Sequence, residues 1–457
     1  DAWTTAYMPN NIGDEVRYIF PNGVNSVAGN LISIAEFEIE GQQTIGVGPR
    51  KLRVTGSTIF EGQLIDGSGD AGTAGQILSS TGTSTNWIDS GLIQSTTSLG
   101  ALTNTVSVSL DGIRSVFVQG NYAYVIAFND DAFQVIDISD PASPVGVGQL
   151  TGGGLELDGA TGVFVQGNYA YVAAQADDGL QVIDISDPTS PVGVGQLTDG
   201  GGLELDGASG VFVQGNYAYV ASNADDGFQV IDISDPTNPV GVGQLTDGGG
   251  LALEGAFSVF IQGNYAYVAS EVDHGLQVID ISDPTSPVGV GQLTDGGDLE
   301  LEGASSVFVQ GKYAYVASAA DDGFQVIDIS DPTNPVGVGQ LTDGGNLELN
   351  GARSVFVQGN YAYVASVDDD GFQVIDISDP TNPVGIDQLT DGGSLELNGA
   401  FSVFVQGNYA YVVAQADDGF QVIQLGSSNQ RSTLEIGALN TSSIQVDNHA
   451  QFNNYVD

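Results

Sequence analysis

A 48-residue unit repeated seven times constrains this chain more than any other feature. Its turn glycine recurs at Gly120, Gly167, Gly215, Gly263, Gly311, Gly359 and Gly407, with a first spacing of 47 and then five of 48. Repeats of about 40 to 50 residues that each read as four short strands are the signature of propeller blades. In each copy "SVFVQ" predicts strand a, "GN" (Gly311-Lys312 in one copy) a tight turn, and "YAYVA" strand b. An Asp-Asp-Gly turn then leads to strand c, "FQVIDIS". "DPTNP" breaks the chain, because proline cannot continue a ladder, and "VGVGQLT" follows as strand d. Val, Ile, Tyr and Phe dominate these segments, no helical periodicity competes, and both faces of strands b and c are apolar. Two-sided apolar strands fit a sheet sandwiched between neighbouring blades.

The ends of the array predict how the ring closes. The seventh copy stops after "GFQVIQLG" without a strand d, while Ser98 to Gly112 precedes the first copy and aligns with "GVGQLTDGGGLELDG". Leu99, Gly100, Ala101, Leu102 and Thr103 therefore read as the missing strand, and sealing the ring with them leaves no open edge. The fold class expected is all-β: a seven-bladed propeller over 97–425, inserted into a β-rich stem or small β-domain. The chain enters and leaves where one blade lacks its c–d turn, so both points should lie side by side on one face.

The motifs "LQVIDISDPTSPVGVG" and "NYAYVA" resemble the LVIVD-repeat family, a resemblance that covers all seven copies and implies secreted or surface-exposed propellers without a catalytic residue to carry over. Gln424 departs from the pattern, standing where six copies have aspartate, as expected at a sealed ring. Outside the array, 1–49 alternates well enough for strands in "EVRYIF" and "NLISIAEFEIEG". Segments 50–96 and 426–457 are short alternating stretches separated by Gly, Ser and Thr. "GDAGTAGQILSSTGTSTNWID" and "STLEIGALNTSSIQVDNHAQFNNYVD" resemble stems of phage tail-fibre-like and bacterial surface fibre proteins. That resemblance implies homo-oligomers, since strands this thin bury their apolar side only against other copies.

Charge excludes whole classes of partner. With 57 Asp and Glu against 8 Lys and Arg, the formal net charge is -49, and nucleic acid and anionic membranes are disfavoured because both need clustered cations. No run of about 18 apolar residues offers a membrane span. With no Cys and two His, disulfides, thiolate nucleophiles and the usual transition-metal sites are out of reach, so any catalysis would rest on carboxylates.

Two sets of candidate residues remain, both expected on the face carrying the b–c turns and d-to-a connections. The turn pairs Asp177 and Asp178, Asp225 and Asp226, Asp321 and Asp322, and Asp417 and Asp418 offer oxygen ligands for Ca²⁺, the one cofactor suggested. The competing and favoured reading is that Asp-Asp-Gly is good turn chemistry, as no copy has the spacing of an EF-hand loop. The acids as a whole are expected to concentrate on that face. Secondly, the position before strand a varies, and Arg114, Phe257, Arg353 and Phe401 there could stack on and hydrogen-bond a glycan or peptide. The paired tyrosines are expected to pack between blades, and His274 to be a solvated substitution for Asp.

Near-identical blades argue against an enzyme, since a catalytic site needs different groups in different roles. The sequence thus suggests a non-enzymatic, secreted fibre or filament subunit that self-associates through its flanks and projects the propeller outward. The alternative is a receptor-binding or adhesin module that recognises a glycan or surface ligand on the distal face. A carboxylate-dependent polysaccharide lyase or hydrolase ranks below both, for want of a paired carboxylate unique to one blade.

Overall fold

A computed structural model describes residues 96–425, apart from 106, 153, 298 and 346, together with the backbone of eight short strands outside that range. The chain divides into two units, Thr96–Gly426 and the combination of Asp1–Ser95 with Ser427–Asp457. The described residues contain no helix long and apolar enough to cross a membrane.

Thr96–Gly426 is a ring of seven four-stranded antiparallel blades, each with strand order a-b-c-d. Blade 1 comprises Ile113–Gln119, Tyr122–Ala127, Ala132–Asp137 and Val145–Thr151, and blades 2 to 6 repeat it. Blade 7 takes Ala400–Gln406, Tyr409–Ala414 and Gly419–Gln424 from the end of the array and Thr97–Thr103 from its beginning. The pairing Phe420 with Leu102 and Gly419 with Thr103 is the register expected from the alignment of the missing strand. Gln424 pairs with Thr97, so the chain enters and leaves this blade side by side.

The core is built at the seven blade interfaces. Tyr124, Ile126, Phe133 and Val135 of blade 1 pack on Leu157, Val163, Val172 and Ile183 of blade 2, and equivalent clusters recur to blade 7 against blade 1. The second tyrosine of each pair is buried there, and in the five blades whose strand c carries phenylalanine it stacks on that ring, as Tyr124 does on Phe133 at 6.0 Å; blades 2 and 4 carry Leu180 and Leu276 instead. One buried glutamine per blade satisfies all its polar atoms. Gln181 donates to Val182 O and Gly195 O and accepts from Glu156 N, tying strand c to strand d and to the incoming connection. Leaving such a buried group unpaired would cost about 1–3 kcal/mol.

Glycine in strand d sets the blade spacing. A Cβ on Gly243 would stand 2.2 Å from Pro284 O in the next blade's c–d turn, and Gly148, Gly195, Gly291 and Gly339 are equally confined. Blade 6 alone carries aspartate at this place. It faces the blade that lacks a c–d turn, and Asp387 Oδ2 instead accepts from Thr96 N where the chain enters.

Outside the propeller, Trp3–Ala6 pairs with Tyr18–Pro21 and Gln76–Ser80 with Thr85–Asp89. Leu31–Ile34 pairs with Ile444–Asp447, and Ile59–Phe60 with Ala450–Gln451, so segments before and after the array join in common ladders. The fibre-like stretches named above otherwise lie outside the described residues.

Candidate functional site

Side chains of strand a alternate, so every second one faces the central channel. Gln119 and its equivalents form a closed girdle near the a–b turns, each donating to a turn carbonyl of the next blade. Gln119 donates to Gly167 O, and Gln406 closes the circle on Gly120 O at 2.9 Å. One layer further in, Phe117, Phe164, Phe212, Phe260, Phe308, Phe356 and Phe404 form a second closed ring. Neighbouring ring centroids lie 4.6–4.9 Å apart, an apolar constriction held by tilted aromatic contacts. In the third layer Ser115, Ser258, Ser306 and Ser354 each accept a backbone N–H from the next blade. Gly162 and Gly210 replace serine where a Cβ would meet Ser209 O at 2.5 Å and Phe257 O at 2.6 Å.

The mouth beyond these layers is different. The variable residues, expected just before strand a, are second within it, at a register shift that separates them from the alternating rows. The three small ones turn inward. Thr161 and Ser305 are buried and donate to carbonyls of the next blade, while Ser209 donates to Gly207 O. The four large ones come together at the mouth. The Arg114 guanidinium lies 3.4 Å from the centroid of Phe128 and 5.6 Å from that of Phe401, and Arg353 lies 5.0 Å from Phe401 and 4.4 Å from Phe257. The result is a continuous alternation Phe128, Arg114, Phe401, Arg353, Phe257. Arg353 also pairs with Glu271, and blade 5 between them carries the small residues Ser305 and Ala319. Among the described residues Arg114 has no ion-pair partner, and its buried Nε has no hydrogen-bond partner. Burial, with the neighbouring Arg353 charge, lowers its pKa to about 10.

Phe128 and Glu271 escaped the sequence reading. Both occupy the first position after strand b, where the seven copies read Phe128, Gln175, Asn223, Glu271, Ala319, Val367 and Gln415. This is the most varied column of the repeat, which was the signal available.

The turn aspartates each hold a main-chain amide. The first of each pair accepts the amide of the preceding connection: Asp177 from Asp158, Asp225 from Asp206, Asp321 from Glu302 and Asp417 from Asn398, at 2.7–2.9 Å. The second sits at φ 51–53° and reaches the next blade: Asp178 to Gly207 N, Asp226 to Gly255 N, Asp322 to Gly351 N and Asp418 to Gly112 N, at 2.9–3.0 Å. These residues staple the ring, and among the described residues no three of His, Cys, Asp and Glu gather as they would around a metal. His274, expected to be merely solvated, holds the same staple, its Nδ1 accepting from Gly303 N at 3.0 Å. Nor do the acids concentrate on one face. Asp184 and Asp187, with their counterparts, line the opposite rim, bonding Ser186 and Thr189.

The LVIVD repeat matches residues 113–151, 159–199, 207–247, 255–295, 303–343, 351–389 and 399–441. No curated protein matches the sequence. Among solved structures, hydrazine synthase of Kuenenia stuttgartiensis is 16% identical with a TM-score of 0.54, covering 70% of this chain and 97% of that one. The β-propeller domain of Cps50 (Swd1) from Myceliophteria thermophila is 10% identical at a TM-score of 0.53, covering 72% and 99%. Raptor of Chaetomium thermophilum, at 11% and 0.55, covers 72% of this chain and 29% of its own. At these identities the likeness is one of fold alone.

Proposed function

We propose that this chain, which belongs to the LVIVD-repeat family, is a non-enzymatic extracellular display protein. Its β-rich flanks self-associate into a fibre or filament, and its propeller is a rigid head that recognises a surface ligand at the distal channel mouth. One observation carries this reading: chemically diverse side chains collect at the mouth while the strand and turn motifs of the blades recur with little change. Stacking faces and guanidinium groups favour binding. They supply no nucleophile, and the one carboxylate among them is already paired with Arg353. The Phe girdle beneath the mouth favours a ligand that docks at the rim over one that threads the channel.

Binding of the full chain to an array of glycans, compared with the Arg353→Ala, Phe401→Ala double variant, tests the reading. Ligand bound by the native chain and lost by a variant of unchanged melting temperature supports it. Silence across the array, or binding indifferent to the double substitution, overturns it. A purely structural filament is the second reading, favoured by the ladders that join residues on either side of the array. Electron microscopy distinguishes filaments from compact monomers directly, and monomers alone would remove the fibre component of both readings.

A further inference from the structure

Internal repetition provides a comparison in which six blades serve as controls for the seventh. The Asp-Asp turns, buried glutamines and Phe girdle recur nearly unchanged, whereas the columns containing Arg114 and Phe128 do not. These columns meet in space, since Arg114 lies on Phe128 and Arg353 pairs with Glu271. The scaffold does not call for diversity in the second column. Its main-chain amides make the same bond in every blade, Phe128 N to Gly112 O and Gln175 N to Gly159 O among them, whatever the side chain.

The charge balance narrows what could bind. Only Arg114, Lys312 and Arg353 are basic within the propeller, and two of the three stand at this mouth. Glu271 neutralises Arg353, which leaves Arg114 as an uncompensated cation with a buried, unpartnered Nε in a chain of net charge -49. Holding a guanidinium there without a counter-ion is unfavourable in the free protein, because desolvation is repaid only by a partner. A bidentate carboxylate is the natural complement. The acidic residues around the rim would repel a polyanion, so the charge has to arrive singly, at a chain end. Gln175, Asn223 and Gln415 around the same mouth each offer donor and acceptor together, which suits vicinal hydroxyls, and phenylalanine faces suit the C–H face of a pyranose.

We infer that the channel mouth binds a terminal carboxylate-bearing sugar residue on an otherwise neutral glycan, with Arg114 taking the carboxylate and the amide side chains taking hydroxyls. This rests on the reading of the propeller as a recognition head and specifies its ligand. The test is calorimetric titration of the full chain with N-acetylneuraminic-acid-terminated and glucuronic-acid-terminated oligosaccharides, their methyl esters, the same oligosaccharides without the acid, and a peptide ending in a free carboxylate. Binding of at least one acid-terminated probe is expected, weakened about tenfold or more by esterification or by Arg114→Gln. Arg114→Gln is also expected to keep or raise the melting temperature, since it removes an uncompensated charge. A fall would mark Arg114 as structural and overturn the assignment. If neutral glycans bind as tightly as acidic ones, the mouth is still a recognition site but the carboxylate assignment fails. If the peptide alone binds, the glycan class fails. If no probe binds, both the inference and the recognition reading fall.

Discussion

The two rims of the propeller are made by the same seven repeats yet obey opposite rules. On the rim of the a–b and c–d turns, "GN" and "DPTNP" recur with little change, because each turn is wedged against the next blade. Pro284 O leaves no room for a Cβ on Gly243, and each strand a glutamine caps its neighbour's turn. On the opposite rim the staples are main-chain amides bonded to aspartate, or to His274 in one blade, which leaves side-chain positions such as those of Arg114 and Phe128 free to differ. The rim that fixes the blade spacing cannot vary. The rim tied through its backbone can, and there Arg, Phe, Glu and Gln accumulate.

The largest expected effect tests the uniform rim. Gly243→Val should cost about 3 kcal/mol or more, as overpacking against a backbone carbonyl forces the blades apart. Asp387→Gly, at the equivalent position beside the chain ends, should cost about 1 kcal/mol, the value of its hydrogen bonds. Denaturant melts of the two variants compare them, and equal losses would show that the close approach does not set the spacing.

On the other rim, Asp226→Ala removes the acceptor for Gly255 N and places alanine at φ 53°, for an expected loss of about 1–3 kcal/mol. Asp226→Asn keeps an acceptor and tolerates the left-handed conformation, so it should recover most of that loss. Should Asn prove as damaging as Ala, the carboxylate charge rather than the staple would be what matters there.

The rims also titrate in opposite senses. Burial, followed by repulsion from neighbouring aspartates, raises Glu204, Glu300 and Glu348 above their ordinary value of 4.5. Their folded-state values exceed the unfolded ones, so their contribution is fully present below the unfolded value and is lost as pH rises through the folded one. Turn hydrogen bonds from Ser186 and Ser234 lower Asp184 and Asp232 below 3.8, and that contribution is present at neutral pH and lost only in acid. Replacing the three glutamates by glutamine should therefore raise the melting temperature at pH 7 by roughly 1–3 °C, with the gain shrinking towards pH 4 and in high salt. A gain independent of pH would assign the effect to something other than their charge.

The smallest effect concerns the one blade whose staple differs. His274→Asp restores the residue used elsewhere and should change stability by less than about 0.5 kcal/mol, whereas His274→Ala should lose about 1 kcal/mol. Thermal melts of both variants would show whether Nδ1 makes the bond to Gly303 N in solution.

The sequence by itself determined the number of blades, their strand order and the register of the seal. These depend on periodicity and turn chemistry, which are local, and Leu99 to Thr103 could be recognised as a strand d from alignment alone. It also placed Arg114, Phe257, Arg353 and Phe401 at one end of the channel. What it left open was which repeated groups meet across blades. Asp178 reads as a turn residue until the ring brings Gly207 N to its carboxylate, and the partner of Asp387 at Thr96 N, at the far end of the array, is visible only in the closed ring. Glu271 lies 82 residues from Arg353 and two blades away, so nothing in either segment announces their pairing. Closing the ring decides such contacts, because its radius and the reach of the b–c turns, rather than distance along the chain, set which side chains converge at the mouth.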